Sequence, residues 1–150
     1  MRAVIQRVSN ASVSCESGHE DQIGSGLLIF LGIEEADTDE DIKWLSAKIG
    51  RLRIFPDENG LMNKDLIEKE GEILVISQFT LHASTKKGNR PSFIKAAKPE
   101  MARILFDKFL EELGIFTNIE VKQGVFGDHM DVSLINDGPV TLLIDTKNKE

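Results

Sequence analysis

The stretch Ser133–Asp145, SLINDGPVTLLID, decides how the chain ends. Its apolar residues Leu134, Ile135, Val140, Leu142, Leu143 and Ile144 read as buried strand, yet Gly138 and Pro139 stand side by side in the middle. Proline removes a ladder donor, and glycine offers no side chain to pack. The pattern predicts two strands, HMDVSLIN (129–136) and PVTLLIDTK (139–147), on either side of a break. It also asks why a chain would spoil its last strand there.

Upstream, RAVIQRV (2–8) and ASVSC (11–15) read as strands around a Ser9-Asn10 turn, and GLLIFLGI (26–33) is a continuous apolar strand. Together they suggest a β-meander. In DTDEDIKWLSAKIGRL (37–52), Thr38 is an N-cap with acidic residues in the first turn, and Ile42, Leu45, Ile49 and Leu52 recur at helical spacing. RIFPDENGLMNKDL (53–66) reads as a loop, broken by Pro56 and the Asn59-Gly60 turn signal. EILVISQFTLHA (72–83) is an apolar strand that loses its pattern near Ser77, and the polar TKKGNRPSF (85–93) is long enough for a functional loop. A second helix is expected from Pro99 through Met101, Ile104, Leu105, Phe109 and Leu113, stopping at Gly114. NIEVKQGVF (118–126) returns to strand. With strands in runs rather than alternating with helices, the expected class is α+β: a mainly antiparallel, β-barrel-like sheet with two main helices in one domain spanning 1–150.

Composition narrows the function. Cys15 is the one cysteine, which excludes an internal disulfide and gives no partner for a zinc or redox pair. No signal peptide or 18-residue apolar run is visible, so a cytoplasmic protein without a membrane partner is expected. The formal charge of −7 argues against coating DNA or RNA with the whole surface. Between Lys86 and Lys108, however, seven basic residues face two acidic ones, a local basic stretch suited to gripping a polyanion at one place. His19, His82 and His129 lack metal-ligand spacing, and no GxSxG, Walker or GxGxxG motif is present, so neither metal nor cofactor is expected. The acidic run from Glu34 to Asp41 is explained by helix capping. What remains is Ser77, Gln78, Phe79 and Thr80: two hydroxyls, an amide and backbone N–H groups at a strand end, the ingredients of an oxyanion hole or polar cradle.

SQFTL (77–81) and NDGPVT (136–141) together resemble the paired signature motifs of the D-aminoacyl-tRNA deacylases. MRAVIQRVSNASV, LRIFPDENGLMN, KKGNRPSF and FGDHMDVSLINDGPVT extend the resemblance over nearly the whole chain. One departure is visible: the family more often has Ala-Asp where this chain has Asp128-His129, beside Met130 at the pocket edge. The resemblance implies a cytoplasmic homodimer that hydrolyses the ester of D-aminoacyl-tRNA, and of mischarged glycyl-tRNA, at the 3′ end. It also implies a cis Gly138-Pro139 peptide that enters the partner subunit's site as a chirality filter.

Two mechanisms are open. Thr80 is the nucleophile, with His82 as the available base on the same strand face; or the N–H groups around Phe79 and Thr80 hold the carbonyl oxygen while the terminal ribose 2′-hydroxyl helps activate water. The second is favoured. Backbone placed where an L-side Cβ must go rejects every L residue by one clash, and glycine escapes it. Arg7 is a candidate to hold the Gly138-Pro139 carbonyls, and Lys86, Lys87 and Arg90 are candidates to grip tRNA phosphates. The rival functions are a non-catalytic dimeric RNA-binding module and a Thr-nucleophile esterase for small D-amino-acid esters.

Overall fold

The computed structural model describes residues 1–149. In chain order the elements are β1 (Arg2–Cys15), β2 (Glu20–Ile23), β3 (Gly26–Gly32), α1 (Asp39–Gly50), β4 (Phe55–Pro56), β5 (Met62–Lys64), β6 (Glu72–Ser77), a 3₁₀ turn (Phe79–His82), α2 (Pro99–Thr117), β7 (Val121–Gln123) and β8 (Met130–Asp145). β1 runs antiparallel to β2, β3 and β8. β6 lies parallel to β3, and β7 parallel to β6. The class is α+β, and the sheet is mixed: three of its pairings are antiparallel, while β6 and β7 join in parallel because α1 and α2 act as the long crossovers that parallel neighbours require. The sheet curls towards a barrel: Lys122 Nζ on β7 donates to the Gln22 carbonyl on β2 at 2.7 Å, and His19 Nε2 lies 2.9 Å from the Gln123 carbonyl.

Four local expectations change. Ser9-Asn10 is not a turn: β1 is continuous, and Ser9 is an extra residue, since Val8 faces Asn136 while Asn10 faces Ile135. The break at Gly138-Pro139 is likewise not an end, because β8 continues through it. Gln6 pairs with Thr141 and Val8 with Asn136, so Asp137, Gly138, Pro139 and Val140 all stand opposite Arg7. The segment 53–66, read as loop, contains the short β4–β5 hairpin. Finally, α2 passes through Gly114 and ends at Asn118 in the left-handed conformation (φ 54°). That last turn has packing to gain, since Phe116 lies so close to Gly50 of α1 that a Cβ there would sit 2.6 Å from its ring.

Each bulge has a packing consequence. A one-residue slip moves a strand's side chains to the other face of the sheet. Ala3 and Ile5 of β1, with Leu142 and Ile144 of β8, belong to the core packed under α1 and α2. Val8, between the two bulges, and Ala11, Val13 and Cys15 beyond them, with Met130, Val132 and Leu134, belong to a second core on the opposite face. β3 and β6 supply both cores by simple alternation: Leu27, Ile29, Ile73 and Val75 to the first, Leu28, Leu74 and Ile76 to the second.

The start of α1 is tied to the far end of β8. Asp41 Oδ2 accepts from the Thr38 N–H (2.8 Å), the Thr38 hydroxyl (3.0 Å) and Lys147 Nζ (2.8 Å). Burial opposes ionisation of Asp41, but hydrogen bonds from Lys147, Thr146 and Thr38 outweigh it and hold the carboxyl well below the usual range. Because the folded pKa is the lower one, this stabilisation is complete above about pH 4 and is lost as pH falls towards the folded value. Asp41→Ala is expected to cost roughly 1–2 kcal/mol in urea melts at neutral pH. The gap to the parent protein should narrow at pH 3, and a gap independent of pH would contradict the linkage.

Candidate functional site

β6 ends for a backbone reason. Gln78 N–H still donates to the Leu31 carbonyl at 2.8 Å, but Gln78 itself leaves strand geometry (φ −143°, ψ 79°) and the chain closes into the 3₁₀ turn. Within it Leu81 N–H donates to the Gln78 carbonyl (3.2 Å), and Ala83 N–H to that of Thr80 (3.0 Å). The first N–H groups of a helical turn have no partner inside it. Those of Phe79 and Thr80 have none among the described residues, and both residues are exposed. The turn rests directly on β3: a Cβ at Gly32 would lie 2.9 Å from the Gln78 carbonyl oxygen and 2.9 Å from Leu81 Cβ.

These donors border a concavity of about 640 Å³ walled by Ser77, Gln78, Phe79, Phe93, Phe126 and Met130. Phe79 and Phe93 meet edge to face, with centroids 5.1 Å apart at 72°, although Phe79 remains 57% exposed. Phe126 is backed by Phe106 of α2 at 5.7 Å. At the rim, Asp128 accepts from the Ser17 N–H at 3.0 Å and the His129 N–H at 2.9 Å; the Ser17 contacts, above all, hold its carboxyl below the usual range. Among the described residues no group of His, Cys, Asp or Glu could hold a metal. A larger groove of about 870 Å³ lies between β8 and α1, beside Trp44, but Arg2 and Asp145 in its wall are already bonded to each other.

The residues singled out in the sequence fall into three places. Ser77, Gln78, Phe79 and Met130 line one cavity, and Thr80 adjoins it with its hydroxyl accepting from Gln78 Nε2. His82 does not share a strand face with Thr80: it is 1% exposed at the far end of the turn, and neither ring nitrogen has a partner among the described residues. Gly138 and Pro139 are not in the wall of that cavity. They stand exposed on the β8 bulge, joined by a cis peptide. Gly138 has φ +126°, and a Cβ on it would meet Arg7 Nη2 at 2.9 Å. Arg7 is buried and holds not those two carbonyls but the one before them, with Nε 3.2 Å from the Asp137 oxygen; its Nη1 donates to the Ile54 carbonyl. Lys86, Lys87 and Arg90 are exposed in the loop beyond the turn, outside the cavity wall.

The sequence reading passed over Phe93, Phe126 and Gly32. Gly32 carried a usable signal, since a glycine inside an apolar strand marks close backbone approach. Phe93 offered a weaker one, as an aromatic residue in an otherwise polar loop.

Fold and cavity define a small α+β protein whose site offers free backbone donors and aromatic walls in place of a side-chain triad. The family model described as D-Tyr-tRNA(Tyr) deacylase matches residues 4–145, and the chain belongs to that family. Proteins named D-aminoacyl-tRNA deacylase from Bacteroides fragilis and Flavobacterium johnsoniae are 61% and 53% identical to it over 150 residues, with all of each chain covered. A solved structure named c-Myc DNA Unwinding Element Binding Protein is 40% identical, with a TM-score of 0.89 over 97% of this chain and 98% of that one. Another, described as "a probable eukaryotic D-amino acid tRNA deacylase", shares the fold at 16% identity, with a TM-score of 0.81 over 95% and 97% of the two chains.

The contact at Gly32 is with backbone, which cannot step aside. Gly32→Ala is therefore expected to cost roughly 1–3 kcal/mol by overpacking. It should also move the Phe79 and Thr80 amide resonances in a ¹H–¹⁵N spectrum, and unmoved resonances would mean that β3 does not set the turn.

Proposed function

We propose that the protein is a D-aminoacyl-tRNA deacylase that hydrolyses the ester at the tRNA 3′ end by backbone electrostatics. The observation that carries this is the pair of N–H groups of Phe79 and Thr80, unpartnered among the described residues, on exposed residues at an aromatic-walled cavity in a member of this family. An aminoacyl ester is already activated, so an oriented water and donors for the developing oxyanion suffice. The Thr80 hydroxyl is a poor nucleophile here. It accepts from the Gln78 amide, and the base proposed for it, His82, is buried away from solvent while Thr80 is exposed. The terminal ribose 2′-hydroxyl is the better candidate to help activate water.

Stereoselection is assigned to Gly138-Pro139, acting in the site of a second copy. Two features support this. The pair is exposed and outside its own subunit's cavity, and β8 exposes apolar Ile135 (57%) before the excursion and Leu143 (69%) after it. Backbone presented to the substrate's α-carbon excludes an L-side Cβ regardless of side chain, and it passes glycine. The protein would thus act in the cytoplasm as a homodimer on D-aminoacyl and mischarged glycyl-tRNA, with Lys86, Lys87 and Arg90 on phosphates. Among the described residues no helix is long and apolar enough to cross a membrane.

Incubating the protein with matched D- and L-aminoacyl-tRNA tests the reading: the D ester should be lost and the L ester spared by at least about 100-fold. No turnover would point to an RNA-binding module, and equal turnover of a small D-amino-acid ester to an esterase. Thr80→Ala should stay within about tenfold of the parent rate, whereas a substrate ending in 2′-deoxyadenosine should lose roughly 100-fold or more. Reversal of those two results would make Thr80 the nucleophile.

Gly138→Ala is strained at φ +126° and pushes on Arg7. It should narrow the preference for the D ester, and unchanged selectivity would remove Gly138 from the filter. Replacing Lys86, Lys87 and Arg90 together by Ala should raise KM and reduce the log–log salt slope by about 2.

A further inference from the structure

The donors at Phe79 and Thr80 belong to a turn of four residues, too short to hold its own geometry, so something outside must fix it. Its entry is fixed by the Gln78 N–H donating to the Leu31 carbonyl at 2.8 Å. Its exit is fixed by a side chain from the other end of the chain. Arg2 Nη1 donates to the Leu81 carbonyl at 3.0 Å, while the same guanidinium places Nε 2.8 Å from Asp145 Oδ2. Arg2 and Asp145 are direct cross-strand partners on β1 and β8, so the carboxylate aims the guanidinium and the guanidinium aims the turn. A planar guanidinium serves two acceptors at fixed angles, which an ammonium cannot do equally well.

We infer that Arg2 is a positioning residue for the deacylation site. Through Leu81 it sets the orientation of the Phe79 and Thr80 N–H groups, and Asp145 sets Arg2. The inference rests on the function proposed above, but its structural half can be read without any substrate. Arg2 is not among the residues that line the cavity, so its loss is expected to act on the turnover step rather than on substrate capture. On the acid side burial opposes ionisation of Asp145, but the Arg2 bond and charge, the Lys147 N–H and the N-terminal ammonium together outweigh it and hold the carboxyl below the usual range, so the clamp is intact in the neutral range.

The test uses the full chain with Arg2→Met, Arg2→Lys and Asp145→Asn, measured three ways: thermal melting, ¹H–¹⁵N amide shifts, and kcat and KM on D-aminoacyl-tRNA. Arg2→Met should move the Phe79 and Thr80 amides and lower kcat roughly 10- to 100-fold with KM within about threefold, the size of effect expected from a small misplacement of donors. Arg2→Lys, able to serve one acceptor well, should recover part of that loss, and Asp145→Asn should reproduce part of it. Unmoved amides in Arg2→Met would overturn the inference. So would a kcat loss no greater than the loss of folded protein in the melt. If the parent protein shows no deacylation while the amides of Arg2→Met still move, the proposed function fails and the clamp stands.

Discussion

The pairing of β1 with β8 is the constraint from which the rest of the molecule follows. It brings Arg2 opposite Asp145 at one end and Cys15 opposite Met130 at the other. Halfway along, both strands must transfer their side chains from the core under the helices to the core on the opposite face. In a period-two structure this needs an odd number of extra residues. β1 supplies one at Ser9, and β8 supplies three, since five steps from Asn136 to Thr141 match two from Val8 to Gln6. An even excess would turn Leu142 and Ile144 away from the helices, or Val132 and Leu134 away from the second core. The length of the Gly138-Pro139 excursion is therefore set by packing on both faces of the sheet, whatever use is made of its tip.

The same feature explains where the sequence was legible and where it was not. α1 could be located because Thr38, the acidic first turn and the Ile42, Leu45, Ile49 spacing all report one helix. The parallel placement of β6 and β7 was hidden, because strand order depends on where a crossover lands and no local pattern records that. The bulges were hidden for a subtler reason. Leu134, Val140, Leu142 and Ile144 are all even-numbered, so the alternation runs through Gly138-Pro139 without a phase change while the face being served switches underneath it. Gly-Pro then reads as a break in a strand, though it is a detour within one.

The site was half legible for a related cause. Ser77 to Thr80 stood out because polar residues follow an apolar run, but the groups proposed to act are N–H donors, which every residue except proline carries. What distinguishes Phe79 and Thr80 is that they are the first residues of a turn, and only three-dimensional closure reveals that. The supports were harder still: Gly32 lies nearly fifty residues before the turn and Arg2 nearly eighty, and neither has a neighbour in sequence that hints at the contact.

A site made of backbone, as proposed here, would distribute its sequence requirements unusually. Side chains at the donor positions are free to vary as far as the cavity wall allows, whereas positions that control the backbone's path are not. Gly32 has the Gln78 carbonyl where a Cβ would be, and Gly138 has Arg7. The guanidinium of Arg7 serves the carbonyls of Asp137 and Ile54, and so ties the β8 excursion to the chain just before the β4–β5 hairpin. Arg2 ties the 3₁₀ turn to β8. Both arginines belong to β1, five residues apart, and each reaches the main chain of a different part of the proposed machinery. The strand that unites the two cores is thus also the strand that fixes the donor turn and the excursion relative to one another. Flexibility along β1 would loosen both at once, which is reason for it to be the most heavily paired strand of the sheet.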